Sequence, residues 1–103
     1  MTRTRLPNRR ASELFDFESM GTRFTGSVSR DSSGKILELF LDNHKAGSAV
    51  GTLVRDSAII LSFALQCGAD IEAIQRALCR DSRGPLGPIG AALDILLASG
   101  GKP

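Results

Sequence analysis

Apolar and polar residues alternate twice near the start of this chain. Phe15 and Phe17 are separated by Asp16 and followed by Glu18; after Ser19-Met20-Gly21, Phe24 and Val28 stand among Arg23, Thr25, Ser27 and Ser29. A period of two marks a half-buried strand, so two strands joined by a tight turn are expected. Asp31-Ser32-Ser33-Gly34 is a second turn cluster, and it leads into Lys35-Ile36-Leu37-Glu38-Leu39-Phe40-Leu41 as a third strand. Connections this short favour an antiparallel meander. In it Leu37, Leu39 and Leu41 are expected to face the core, while Ile36, Glu38 and Phe40 face away. An outer face carrying Ile36 and Phe40, near Phe15 or Phe24, is a candidate patch for homodimer formation; a fold-over of the N-terminal arm is the alternative cover.

The period then changes. Ser48 is a good N-cap, and Val50, Leu53, Val54, Ser57, Leu61, Ala64 and Leu65 recur at helical spacing. Ile59, Ile60 and Phe63 widen the stripe beyond one face, which predicts a helix packed between the sheet and other helices. Gly68 closes it as the residue after the C-cap. Asp70 caps a short helix with Ile71, Ile74, Ala77 and Leu78 on one side, and Arg80 to Pro85 reads as a loop. A last helix starts at Pro88, carries Ile89, Ala92, Leu93, Leu96 and Leu97 on one stripe, and stops at Gly100-Gly101. The expected fold is α+β, a three-stranded antiparallel meander packed against three helices (β-β-β-α-α-α) in two layers.

With 103 residues the chain suits one domain. Its organisation reads as a flexible basic arm at 1–11, a domain at 12–99 and a short tail at 100–103. The formal net charge is +2, and Arg3, Arg5, Arg9 and Arg10 all precede the first acid, Glu13. That arm is the one electrostatic argument for nucleic acid, through phosphate contacts. Tyr and Trp are absent and the five Phe residues all precede residue 64, which argues against base stacking as the basis of single-strand binding. Neither a signal h-region nor an uninterrupted apolar span is evident, since Arg55 and Asp56 break the long apolar stretch; no membrane role and a cytoplasmic location are expected.

Catalytic chemistry finds few candidates. His44 is the only histidine and reads as a solvated loop residue, and no Ser or Cys stands in an activating motif. Cys67 and Cys79 end two helices and read as free thiols filling apolar space; with His44 far away they make no zinc site. No metal or cofactor is expected. Asn43 to Ser48 does not follow the phosphate-loop order. Free N–H groups at a helix start, with Lys45, Ser48 and Arg55, nevertheless form a candidate anion or nucleotide site, the alternative being a plain cap. Arg55, inside an apolar run, requires a partner if buried, and Asp94 is a candidate.

The run Gly34-Lys35-Ile36-Leu37-Glu38-Leu39-Phe40-Leu41, then Lys45-Ala46-Gly47-Ser48, Arg55-Asp56 and Ala64-Leu65-Gln66-Cys67-Gly68, resembles the TSCPD domain family. Gly84-Pro85-Leu86-Gly87 and Leu93-Asp94 fit it too, and the likeness spans roughly residues 12 to 98. The family includes the C-terminal accessory region of vitamin B12-dependent ribonucleotide reductases and small stand-alone proteins. The resemblance implies an accessory role in nucleotide metabolism with a protein partner, a ribonucleotide reductase being the natural one. It also implies a ribonucleoside-diphosphate reductase label. The thiyl-forming cysteine, the reductant cysteine pair and the barrel which that reaction needs have no match here, nor does the cysteine-rich tail of longer relatives. The expectation is a non-catalytic accessory module, with a small nucleic-acid-binding protein as the alternative.

Overall fold

The computed structural model describes residues 12–45 and 47–100. In chain order they form β1 (Ser12–Ser19), β2 (Thr22–Arg30), β3 (Ile36–Asn43), α1 (Ala49–Gln66), α2 (Ile71–Ala77), β4 (Arg80–Asp81), β5 (Gly84–Pro85) and α3 (Pro88–Gly100). The first three strands make an antiparallel sheet in the order β1-β2-β3, packed against the helices as an α+β fold. The basic arm expected at residues 1–11 lies outside the described residues, as do 101–103 of the expected tail.

The turn chemistry follows from the residues. Met20 (φ 54°) and Gly21 (φ 72°) both occupy the left-handed region, the combination whose twist suits a two-residue hairpin. At the second turn the Asp31 carboxylate accepts from the Ser33 N–H (2.9 Å), the Ser33 hydroxyl (2.6 Å) and the Lys35 N–H (3.0 Å). Those donors, the hydroxyl foremost, hold the Asp31 carboxyl below its ordinary pKa.

Register sorts the side chains. Phe17 lies opposite Phe24, and Phe15 opposite Gly26. The rings of Phe15, Phe17 and Phe24 stack at centroid distances of 5.7 and 5.5 Å. Gly26 is required beneath them, because a Cβ at that position would run into the Phe15 ring. Phe15 and Phe24 therefore belong to the core face and do not join Phe40 in an outer patch. Ile36 also departs from expectation. The β2–β3 register shifts between Ser29 and Arg30, and Ile36 becomes part of the buried core with Leu39 and Leu41. The bulge turns one strand residue toward the opposite side.

β3 is an edge strand, and α1 closes that edge. The Ser62 hydroxyl accepts from the Leu39 N–H (2.9 Å) and lies within donating distance of the carbonyls of Leu39 (2.9 Å) and Ala58 (2.8 Å), between which its one proton is shared. The Gln66 amide donates to the Leu37 carbonyl at 3.1 Å. Both side chains are buried, and they do for the open edge what a fourth strand does elsewhere. Val54, Ala58, Leu61 and Leu65 then face inward, and with Ala92, Leu93 and Leu96 of α3 they complete the core.

Among the described residues, one side of α1 is covered and the other is not. Leu53, Ile59, Ile60 and Phe63 are exposed, which corrects the expectation of a helix buried between sheet and helices. By length and mean hydropathy (1.3) α1 is apolar enough to cross a membrane, but its buried face is the core of this domain. Ser48 caps its start by accepting from the Gly51 N–H at 2.9 Å. Its end is a Schellman closure: Gly68 (φ 93°) donates to Leu65 and Ala69 to Ala64.

The stretch expected as a loop holds a small hairpin, β4 with β5, closed by a Leu86 N–H to Cys79 carbonyl bond of 2.9 Å. Its Arg80 forks onto Asp94 at 3.3 and 3.2 Å, and Gln75 of α2 donates to the same carboxylate at 2.8 Å. Asp94 is thus the partner of Arg80 and not of Arg55. Arg80, then Gln75, holds the Asp94 carboxyl below its ordinary pKa.

Two outcomes are expected. Ser62→Ala leaves the Leu39 N–H and C=O without that buried partner and should lower unfolding free energy by about 1–3 kcal/mol in urea melts. Asp94 contributes stability that is complete above the unfolded carboxyl pKa of about 3.9 and is lost as pH falls through its lower folded value. Asp94→Asn should therefore be less stable at neutral pH, by about 1 kcal/mol or less for a pair this exposed, and should converge with wild type in strong acid. Melts from pH 7 to pH 2 check the convergence.

Candidate functional site

The face of the sheet turned away from α3 carries rows fixed by strand pairing. Leu14, Ser27 and Phe40 form one row; Asp16, Thr25 and Asp42 form the next. Because α1 runs along β3, it brings Arg55 and Ile59 to the same side. Thr25, Ser27, Phe40, Asp42, Arg55 and Ile59 line an open groove of about 350 Å³. Its middle is apolar, with Phe40 42% and Ile59 44% exposed, and its end is charged.

At the charged end the Thr25 hydroxyl donates to Asp16 at 2.7 Å and lies 2.6 Å from His44 Nε2. With the single hydroxyl proton on Asp16, Nε2 is the donor in the second bond. The order is acid, hydroxyl, imidazole. A nucleophile relay needs the imidazole in the middle, taking the hydroxyl proton, so His44 does not activate Thr25. Arg23 lies 4.0 Å from Asp16 and 3.7 Å from Glu18, while Arg55 pairs with Asp42 at 3.1 Å. These are exposed contacts that contribute little stability, and of them the Arg55–Asp42 pair lines the groove. Among the described residues no three His, Cys, Asp or Glu side chains gather as a metal set.

The three residues of the candidate anion site are partly brought together. Ser48 Oγ and Arg55 Nη1 both lie within 4 Å of the place a Gly51 Cβ would occupy, at 3.0 and 3.9 Å. The Ser48 hydroxyl oxygen serves as the helix cap, and Arg55 already meets an acid in Asp42. Lys45 is exposed in the preceding loop, its N–H held by the Asn43 side chain at 2.7 Å. Arg3, Arg5, Arg9 and Arg10 lie outside the described residues. Sequence reasoning missed the Asp16–Thr25–His44 chain. Alternation put Asp16 and Thr25 on one face, but the register that makes them neighbours is set by pairing across strands.

A second groove of about 320 Å³ lies on the other flank of α1, lined mainly by apolar residues including Met20, Leu53, Leu78 and Pro88. Cys79 stands on its wall. Both cysteines are free, Cys67 half-buried and Cys79 exposed, so Cys79 is not the buried filler expected. The helix it was expected to end stops at Ala77, and Leu78 turns into extended backbone (ψ 155°).

Because Ser48 caps α1, Ser48→Ala should cost about 1 kcal/mol in urea melts, while Ser48→Asp, another capping residue, should stay within about 0.5 kcal/mol of wild type. An anion site would separate differently. Inorganic phosphate would then raise the melting temperature of wild type and not of Ser48→Asp, whose charge repels it.

Compared with protein-family models, with curated proteins and with solved structures, the chain matches none.

Proposed function

We propose that this chain is a non-catalytic accessory module that works through protein contacts, and that the contacts are made by the exposed side of α1 and the outer face of the sheet. The observation that carries the reading is the run of large apolar side chains along that surface. Phe40 and Ile59 meet in the groove, and Ile60 (70% exposed) and Phe63 (49%) continue along the helix. Covering a side chain of this kind is worth about 1.5–3 kcal/mol. A few such residues are enough to anchor a partner, and contiguous exposed patches mark interaction sites.

An enzymatic reading lacks its parts. Among the described residues, the hydroxyl linked to both an acid and an imidazole has them in the wrong order for a nucleophile relay. The likeness to the TSCPD family points the same way, toward an accessory protein of cytoplasmic nucleotide metabolism with a ribonucleotide reductase as partner. The groove is amphiphilic rather than basic, which favours a protein over a nucleic acid as its occupant.

Binding of the purified chain to the catalytic chain of a vitamin B12-dependent ribonucleotide reductase, followed by calorimetry, tests the partner. Micromolar or tighter binding is expected, weakened at least tenfold in the Phe40→Ser, Ile59→Ser double variant, with circular dichroism confirming its fold. Absence of binding by wild type, or equal binding by the double variant, would count against the proposal.

A further inference from the structure

The charge of the chain divides at Ser12. Residues 12–100 hold eight Lys and Arg against eleven Asp and Glu, a net charge of −3, whereas residues 1–11 hold four Arg and no acid. The overall charge of +2 is therefore that of an acidic domain with a basic segment attached. Five of the eleven acids stand in β1 and β3. Strand pairing places four of them, Asp16, Glu18, Glu38 and Asp42, on the outer face of the sheet. The bases that meet them there are Arg23, on Asp16 and Glu18, and Arg55, on Asp42.

The outer face also has an order. Glu38 lies in the row of Ser12, Leu14 and Phe40 in the next row, and Asp16 and Asp42 in the third. Leu14 is 73% exposed, and Phe40 in the same row is exposed too. An apolar row thus lies between two rows that carry acids. The segment before Ser12 repeats that order in the opposite charge: Arg10 and Arg9 come first, then Leu6, then Arg5 and Arg3.

We infer that residues 3–10 of the chain itself fold back from Ser12 over this face, with Leu6 covering Leu14 and Phe40. Rows on one face are two residues, about 7 Å, apart. Leu6 precedes Ser12 by six residues, about 20 Å of extended chain, which is enough to reverse direction and reach the next row. From Leu6 to Arg3 is about 10 Å, which brings Arg5 and Arg3 to the row of Asp16 and Asp42. Arg9 and Arg10 stay beside Glu38. The tether holds the segment near the face at an effective concentration on the order of millimolar, so weak contacts suffice. A second copy's outer face is no substitute, since acids would then oppose acids. The consequence for access rests on the protein-contact reading of this face: a partner reaches Phe40 only by displacing residues 3–10.

Trypsin, which cuts after arginine, tests the cover on the full chain, with the cuts located by mass spectrometry. Cleavage after Arg3, Arg5, Arg9 and Arg10 should be at least fivefold slower in wild type than in Phe40→Ser or in the Asp16→Asn, Asp42→Asn double variant, whose first eleven residues are unchanged. Cuts after Arg30 and Arg55 should stay equally slow in all three, which separates an uncovered segment from an unfolded domain. Protection should not depend on protein concentration. Segment cleavage as fast in wild type as in either variant overturns the inference, and protection that appears only as concentration rises overturns it by placing the segment on a second copy. In calorimetry Leu6→Ser should bind the reductase chain at least threefold more tightly than wild type, and equal binding removes the control of access. An unprotected segment in a chain that binds the reductase through Phe40 and Ile59 removes the cover and leaves the protein-contact reading standing. A protected segment in a chain that binds no reductase leaves the cover and removes that partner.

Discussion

The buried hydroxyl of Ser62, shared between α1 and the backbone of Leu39, is the contact on which the rest of this domain depends. A three-stranded sheet has two open edges, and an edge strand lying against a helix cannot leave its N–H and C=O groups unpaired away from water. Ser62 and Gln66 supply the missing partners from one side of α1, one turn apart. That requirement fixes the rotation of the helix about its own axis. Once residues 62 and 66 point at β3, residues 54, 58, 61 and 65 must point at the core and residues 52, 56, 59 and 63 at solvent. The exposed apolar stripe is therefore a consequence of closing the edge, since the same rotation cannot serve both faces.

Much of the fold is written in local patterns. Alternation around Phe15, Phe17 and Phe24 marks the hairpin, Gly21 allows its tight turn, and Ser48 and Gly68 bound the long helix. These features are readable because each depends on a few adjacent residues. The features that were not readable depend on pairing at a distance. Ile36 reads as outward-facing until the bulge beside Arg30 turns it inward, and Ser62 reads as a tolerated polar residue in an apolar run until Leu39 is found opposite it. Asp94 invited pairing with Arg55 because both charges interrupt apolar helices. The β4–β5 hairpin instead delivers Arg80 to it, and Asp42, next to the edge of the sheet, takes Arg55.

The candidate site shows the same division. Lys45, Ser48 and Arg55 were legible as residues near a helix start, and the structure does set Ser48 and Arg55 around Gly51. The groove itself was not legible, because Thr25, Phe40 and Ile59 come from three elements and share no sequence signal. Its chemistry follows from where each element ends. β3 delivers Asp42 and, just beyond, His44 to the charged end, while the middle of β3 and α1 delivers Phe40 and Ile59 to the apolar part.

A helix apolar on every side is expected to be buried on every side, and α1 is buried on one. Its remaining apolar surface flanks two grooves and holds a single acid, Asp56, near the middle of its stripe. Were the stripe wholly apolar, it would bind other apolar surfaces with little regard to orientation. One carboxylate changes that, because covering it without a cation is costly, so only partners that present a base at the right level are admitted. Arg55, one residue earlier, is turned about 100° around the helix and is held by Asp42 on the sheet side, so it does not supply that base. The base therefore has to come from the partner, and the level at which it meets Asp56 gives the surface an orientation as well as an affinity.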